Sequence, residues 1–255
     1  SRCNFLYYNN QDGTFDYKTE SSLRHTSFYS MGVDAADINN DSHLDLMVLD
    51  MTAEDNFRLK SNMSGMNPDS FWKVVNDGGH YQYMFNTLQL NNGNETFSDI
   101  AQFTQTAATD WSWASLVADF DNDGNKDIYI TNGLLRDIRN TDADKKISDL
   151  VSKTFNKYII ENPDNSNVSI WDVIDLQELL DFLPSQKLKN YFYKNYGDLK
   201  FKNEIDQLGL GDPSFSHGAS YADLDNDGDL DIFVTNGEVQ DKMVVNAITN
   251  ARKLA

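Results

Sequence analysis

Along most of the chain, apolar and polar positions change over short runs of strand length. Leu46-Met-Val-Leu before Asp50, Ile128-Tyr-Ile-Thr before Asn132 and Ile232-Phe-Val-Thr before Asn236 are β-branched, aromatic or aliphatic runs of this kind. Each follows a small-residue strand: Ser30-Met-Gly-Val-Asp-Ala-Ala36, Ser112-Trp-Ala-Ser-Leu-Val-Ala118 and Ser216-His-Gly-Ala-Ser-Tyr-Ala222. A second unit has an aromatic or apolar strand, an Asn/Gly turn and a short strand closed by Phe. It reads Phe5-Leu-Tyr-Tyr-Asn-Asn to Gly13-Thr-Phe15, Leu88-Gln-Leu-Asn-Asn-Gly93 to Thr96-Phe97, and Tyr191-Phe-Tyr-Lys-Asn-Tyr-Gly197 to Lys200-Phe201. Such turns between apolar residues signal hairpins. One full repeat is therefore four antiparallel strands.

Strands one and two of each repeat are joined by an aspartate-rich loop. The copies are Asp37-Ile-Asn-Asn-Asp41-Ser-His-Leu-Asp45, Asp119-Phe-Asp-Asn-Asp-Gly-Asn-Lys-Asp127 and Asp223-Leu-Asp-Asn-Asp-Gly-Asp-Leu-Asp231. Side-chain oxygens at positions one, three, five and nine, with a main-chain carbonyl at seven, can wrap a hard cation. The candidate ligands are Asp37, Asn39, Asp41, His43 and Asp45 in loop one. In loop two they are Asp119, Asp121, Asp123, Asn125 and Asp127, and in loop three Asp223, Asp225, Asp227, Asp229 and Asp231. His43, Asn125 and Asp229 contribute through the carbonyl at position seven, which leaves the His43 side chain in water. Up to three Ca²⁺ ions are expected. Gly124 and Gly228 supply the sharp turn at position six; Ser42 stands there in loop one, making it the weakest site. An EF-hand needs Glu at position twelve and helical flanks; Val48, Ile130 and Val234 stand there, between strands.

Four-stranded units in series predict an all-β fold of propeller blades. Loops beginning at 37, 119 and 223 are spaced wider than a propeller repeat of roughly 40–50 residues. Two insertions take up the excess: 52–80, read as loop with at most one short helix, and 134–190, read as helical. In the second, Ile147, Leu150, Val151, Phe155, Tyr158 and Ile159 follow helical spacing from an N-cap at Thr141 to Pro163. Ser169 with Asp172 opens another helix carrying Ile170, Val173, Ile174, Leu176, Leu179, Leu180 and Leu183, stopped by Pro184. Both insertions join strands two and three, at the end away from the cation loops, where they form either a ligand face or a packed lid. Residues 1–255 read as one partial domain, two complete blades and two half-blades of a larger, seven-bladed propeller.

With Tyr81-Gln-Tyr-Met-Phe-Asn-Thr-Leu-Gln-Leu-Asn-Asn-Gly93, Trp111-Ser-Trp113 and Leu183-Pro-Ser-Gln-Lys-Leu-Lys-Asn-Tyr191, the repeats resemble the FG-GAP/VCBS repeats of integrin-α-type β-propellers. More narrowly, they resemble bacterial VCBS-repeat proteins related to cartilage acidic protein. The resemblance implies an exported, calcium-stabilised propeller, placed outside the cell, on its surface or in the periplasm, and it implies no catalytic residues.

Composition narrows this further. The net charge of −19 opposes nucleic-acid binding; three divalent ions would offset six of those charges. The single cysteine, Cys3, is read as a free thiol and excludes a disulfide framework. No apolar run is long enough to span a membrane. No phosphate loop, zinc-type His pair or nucleophile elbow is present. Trp111 and Trp113, and likewise Tyr81, Tyr83 and Phe85, read as core strand positions before they read as sugar-stacking ones. The expected function is a non-enzymatic module that binds a protein or glycan ligand or acts as a scaffold. The alternatives are a glycan-binding lectin and an accessory domain of a polysaccharide-degrading enzyme.

Overall fold

The computed structural model describes residues 4–62, 67–163, 168–169, 172–174, 176–237 and 244–246. The chain enters through a hairpin of β1 (Tyr7–Asn9) and β2 (Phe15–Tyr17), the single-turn α1 (Thr19–Ser22) and β3 (Thr26–Ser27). Then come β4 (Val33–Ala36), β5 (Asp45–Val48), β6 (Met51–Thr52), α2 (Asn56–Asn62), α3 (Pro68–Asn76), β7 (Gln82–Tyr83), β8 (Thr87–Asn91) and β9 (Phe97–Asp99). The first full sheet is antiparallel, in the order β4-β5-β8-β9.

The next repeat supplies β10 (Asp110–Ala118), β11 (Asp127–Asn132), α4 (Thr141–Glu161), α5 (Leu176–Leu180), β12 (Tyr191–Asn195) and β13 (Phe201–Asn203). Its strands form the same antiparallel meander, and β6 adds a fifth strand beside β10. The third sheet contains β14 (Ser216–Ala222), β15 (Asp231–Asn236) and β16 (Val244–Asn246). The sequence reading stops that unit after two strands; a short Val-Val segment supplies a third.

The middle sheet shows why β11 reads as a continuous apolar run. Its residues alternate between two cores, so both faces are covered. Ile128 and Ile130, with Val117 of β10, meet Met47 and Leu88 of the first sheet. Tyr129, with Leu116 and Ala118, meets Ile232 and Val234 of the third. Each such buried side chain contributes about 1.5–3 kcal/mol. The first strands of successive sheets lie side by side, β10 between β4 and β14. Val117 N–H donates to Asp34 Oδ2 at 2.7 Å on one side, and Thr131 Oγ1 to the His217 carbonyl at 2.5 Å on the other. Trp111 is core, as its strand position predicts. Trp113, Tyr83 and Phe85 are half-buried, the last two stacking with rings 5.7 Å apart, and Tyr81, which precedes β7, is exposed and not core as expected.

The insertions hold more helix than the periodicity predicts, so the fold is mostly β rather than all-β. Segment 52–80, read as loop with at most one short helix, contains two helices, α2 and α3. Asn67 caps α3 by accepting the Ser70 N–H at 3.0 Å, and Pro68 preorganises the first turn. In the second insertion the cap of α4 is Asn140, which accepts Ala143 N–H at 3.0 Å; Thr141 is the first helical residue. The expected apolar positions of α4 form a half-buried stripe, with Ile159 more exposed. Ser169 N–H does donate to Asp172 Oδ2 at 2.9 Å, but regular helix begins only at Leu176. Ile170, Trp171 and Cys3 lie outside the described residues. The two insertions meet: α2 packs on α4, and Thr141 Oγ1 donates to the Ser61 carbonyl at 3.3 Å. Arg58 of α2 forks onto Asp110 of β10, with Nε and Nη2 at 2.5 and 2.6 Å from its two oxygens.

Candidate metal centres

Each aspartate loop is shaped by its own carboxylates. In loop two, Asp119 accepts Asp123 N–H at 3.0 Å on Oδ1 and Gly124 N–H at 2.9 Å on Oδ2. Asp223 binds Asp227 and Gly228 in the same way, both at 3.1 Å, and Asp37 binds Asp41 and Ser42 at 3.0 and 2.8 Å. The position-five carboxylate then accepts the position-seven N–H, at 2.9 Å for Asn125 and 3.2 Å for Asp229. Two residues per loop take left-handed backbone: Asn at position four in every copy, and position six, where φ is +90° at Gly124 and +94° at Gly228. Ser42 takes the same conformation, φ +71°, against the usual steric cost of a side chain there.

The structure brings together positions one, three and five. In loop two, Asp119, Asp121 and Asp123 each present an oxygen within 4.8 Å of the others, and Asp223, Asp225 and Asp227 do so in loop three. These sets are all hard oxygen, suited to Ca²⁺ and lacking the nitrogen or sulfur that transition metals prefer. Desolvation first, and then the charges of Asp227 and Asp231, raise the Asp225 carboxyl above its ordinary value. Loop one differs. Asn39 replaces the second aspartate, and its amide donates to Asp41 Oδ2 at 2.8 Å, which holds the Asp41 carboxyl below its usual range. In loop one a protein donor thus offsets part of the carboxylate charge.

Position nine lies beneath the loop rather than in the triad. Asp45, Asp127 and Asp231 are all buried. Asp45 Oδ2 accepts Ile38 N–H at 2.9 Å, and Asp231 Oδ2 accepts Leu224 N–H at 3.0 Å. The other oxygen faces strand three: Asp45 Oδ1 accepts Asn91 N–H at 2.7 Å, and Asp127 Oδ1 accepts Asn195 N–H at 2.9 Å. Asp127 Oδ2 lacks a full hydrogen bond. Burial first, and then the charges of Asp121 and Asp123, push its carboxyl up to about 7. His43, expected to be free in water, is exposed but rests on the turn at Gly93, where an added Cβ would come within 2.6 Å of its Nε2.

Three features escape the sequence reading. Asn91 and Asn195, read only as turn residues, tie strand three to the loop, and their side-chain amides also donate to Leu44 O at 3.1 Å and Lys126 O at 3.1 Å. The position-four asparagines link neighbouring loops: Asn40 Nδ2 donates to Gly124 O at 3.1 Å, and Asn122 Nδ2 to Gly228 O at 3.3 Å. Lys194 contacts Asp121 and lies 3.6 Å from Asp123. The recurring Asn that ends strand three, two residues before its turn glycine in both copies, is the signal that could have exposed the first of these.

This hairpin-and-loop unit matches the profile of the FG-GAP-like repeat over residues 3–48, 69–130 and 178–234. The chain belongs to the FG-GAP-like repeat family. Each matched segment ends just past an aspartate loop, so a family repeat takes strands three and four from one sheet and the loop hairpin from the next. The strand-three contacts therefore join two family repeats within one sheet, while the loop-to-loop contacts join neighbouring sheets. A search among curated proteins found no match.

Proposed function

We propose that this FG-GAP-like chain is a calcium-stabilised segment of a β-propeller that works outside the cytoplasm as a non-catalytic binding or scaffold module. The observation that carries the reading is the pair of aspartate triads held in preformed loops. Three carboxylates drawn this close repel one another, and a divalent cation removes the penalty. Because the ligands converge only when the hairpin is folded, ion binding adds to folding stability. The side-by-side first strands and the asparagine links from loop to loop support a radial order of blades in a larger ring. At the opposite end, the packed insertions present Phe57 and Trp72, 73% and 53% exposed, as a surface for a protein or glycan ligand.

The test is thermal melting of the chain in EDTA and in millimolar calcium. Calcium at about a hundred times its Kd adds about 2.7 kcal/mol, so chelation should lower Tm and calcium should restore it. Asp225→Ala should shrink that shift more than Asn39→Ala does. An identical melt in both solutions would overturn the metal reading.

A further inference from the structure

Loop two contains a cation of its own. Lys194 is the residue before Asn195 in β12, and its side chain reaches back over the loop. Nζ donates to Asp121 Oδ2 and stands 3.6 Å from Asp123 Oδ2. The lysine side chain is only 26% exposed, and the two aspartates 21% and 33%, so water screens the group partially. The ring of Tyr196, 5.6 Å from Nζ, flanks the ammonium on another side. In the first repeat the residue at this position, before Asn91, is Leu90, which brings no charge.

Asp121 and Asp123 are two of the three carboxylates of the loop-two triad. The oxygens that would hold a divalent ion are therefore the ones that Lys194 holds, and an ammonium and a calcium ion cannot share them without strong repulsion. We propose that Lys194 is a tethered counter-cation that competes with the metal for loop two. This rests on the reading of the loops as cation sites. With the loop empty, the ammonium neutralises Asp121 and Asp123 and keeps the hairpin folded. A divalent ion enters by displacing it, and the flexible four-carbon stem lets the ammonium swing into water. Loop two then fills only at a calcium concentration above what its triad alone would need, and the fold tolerates its emptying.

The experiment is calcium titration calorimetry on the full chain carrying Asp225→Ala, so that loop two dominates the binding signal. Lys194→Met should tighten calcium binding about tenfold and lower Tm in EDTA, whereas Lys194→Arg should keep binding weak. If Lys194→Met does not fold without calcium, Lys194→Gln removes the charge while keeping a donor for Asp121. Unchanged affinity and an unchanged EDTA melt in Lys194→Met, with binding still abolished by Asp121→Ala, would overturn the competition and leave the metal reading intact. No calcium uptake by any variant, the parent included, would overturn both.

Discussion

Asp127→Asn separates the two contributions that the buried carboxylate makes. Asp127 has no exposed surface, and its carboxyl is pushed up to about 7 by burial and by the charges of Asp121 and Asp123. In the unfolded chain it titrates near 3.9. Between those two values the folded protein binds more protons than the unfolded one, so the metal-free fold loses stability as pH rises from about 4 through about 7. A gap of about three pH units corresponds to at most about 4 kcal/mol by pH 8. The substitution removes this charge and leaves an oxygen for the Asn195 N–H. In EDTA at pH 8 the variant should therefore be more stable than the parent, and the advantage should vanish near pH 4. In calcium the order should invert, because the ion compensates the charge and the variant attracts it less.

Urea denaturation followed by tryptophan fluorescence, with Trp111 buried in β10 of the same sheet, reads all three conditions. The difference between variant and parent cancels every other titrating group. If Asp127→Asn is destabilised by the same amount in EDTA at pH 8 as in calcium, the reasoning is wrong. Asp127 would then be a satisfied hydrogen-bond acceptor, not an uncompensated buried charge.

Two further substitutions test the backbone and the insertion anchor. Ser42→Gly should stabilise the chain by about 0.5–1 kcal/mol in urea titrations, since glycine takes the left-handed conformation without a side-chain clash; a loss would mean that the Ser42 side chain itself supports loop one. Arg58→Met should cost about 3–5 kcal/mol, because it strands the Asp110 carboxylate, whose side chain is only 10% exposed. Adding Asp110→Asn should recover most of that loss, and hydrogen exchange should show α2 loosening in the single variant but not in the double.

How much of this was legible follows from the distance over which each feature is determined. The loops were legible because their acidic and amide side chains lie two residues apart and one tight turn decides where the oxygens go. Their flanking strands were legible because a run such as Ile128-Tyr-Ile-Thr131 suits few other conformations. The short helix α3 was not placed because its evidence is a cap and a proline, Asn67-Pro68, in a segment too short to show a period. The parallel pair β3–β7 and the added strand β6 have two residues each, and two residues carry no alternation. In loops two and three position nine is an aspartate like positions one, three and five, so residue type alone could not place it under the loop. Lys194 shows the limit most clearly. It lies 67 positions beyond Asp127 in the chain, across a helical insertion, and nothing in its own neighbourhood points to metal. Its meaning depends on β12 pairing with β11 in the register that sets Tyr193 opposite Ile128. A slip of one residue would turn the lysine to the other face of the sheet. The strand pairing that builds the core therefore also decides which cation loop two meets first.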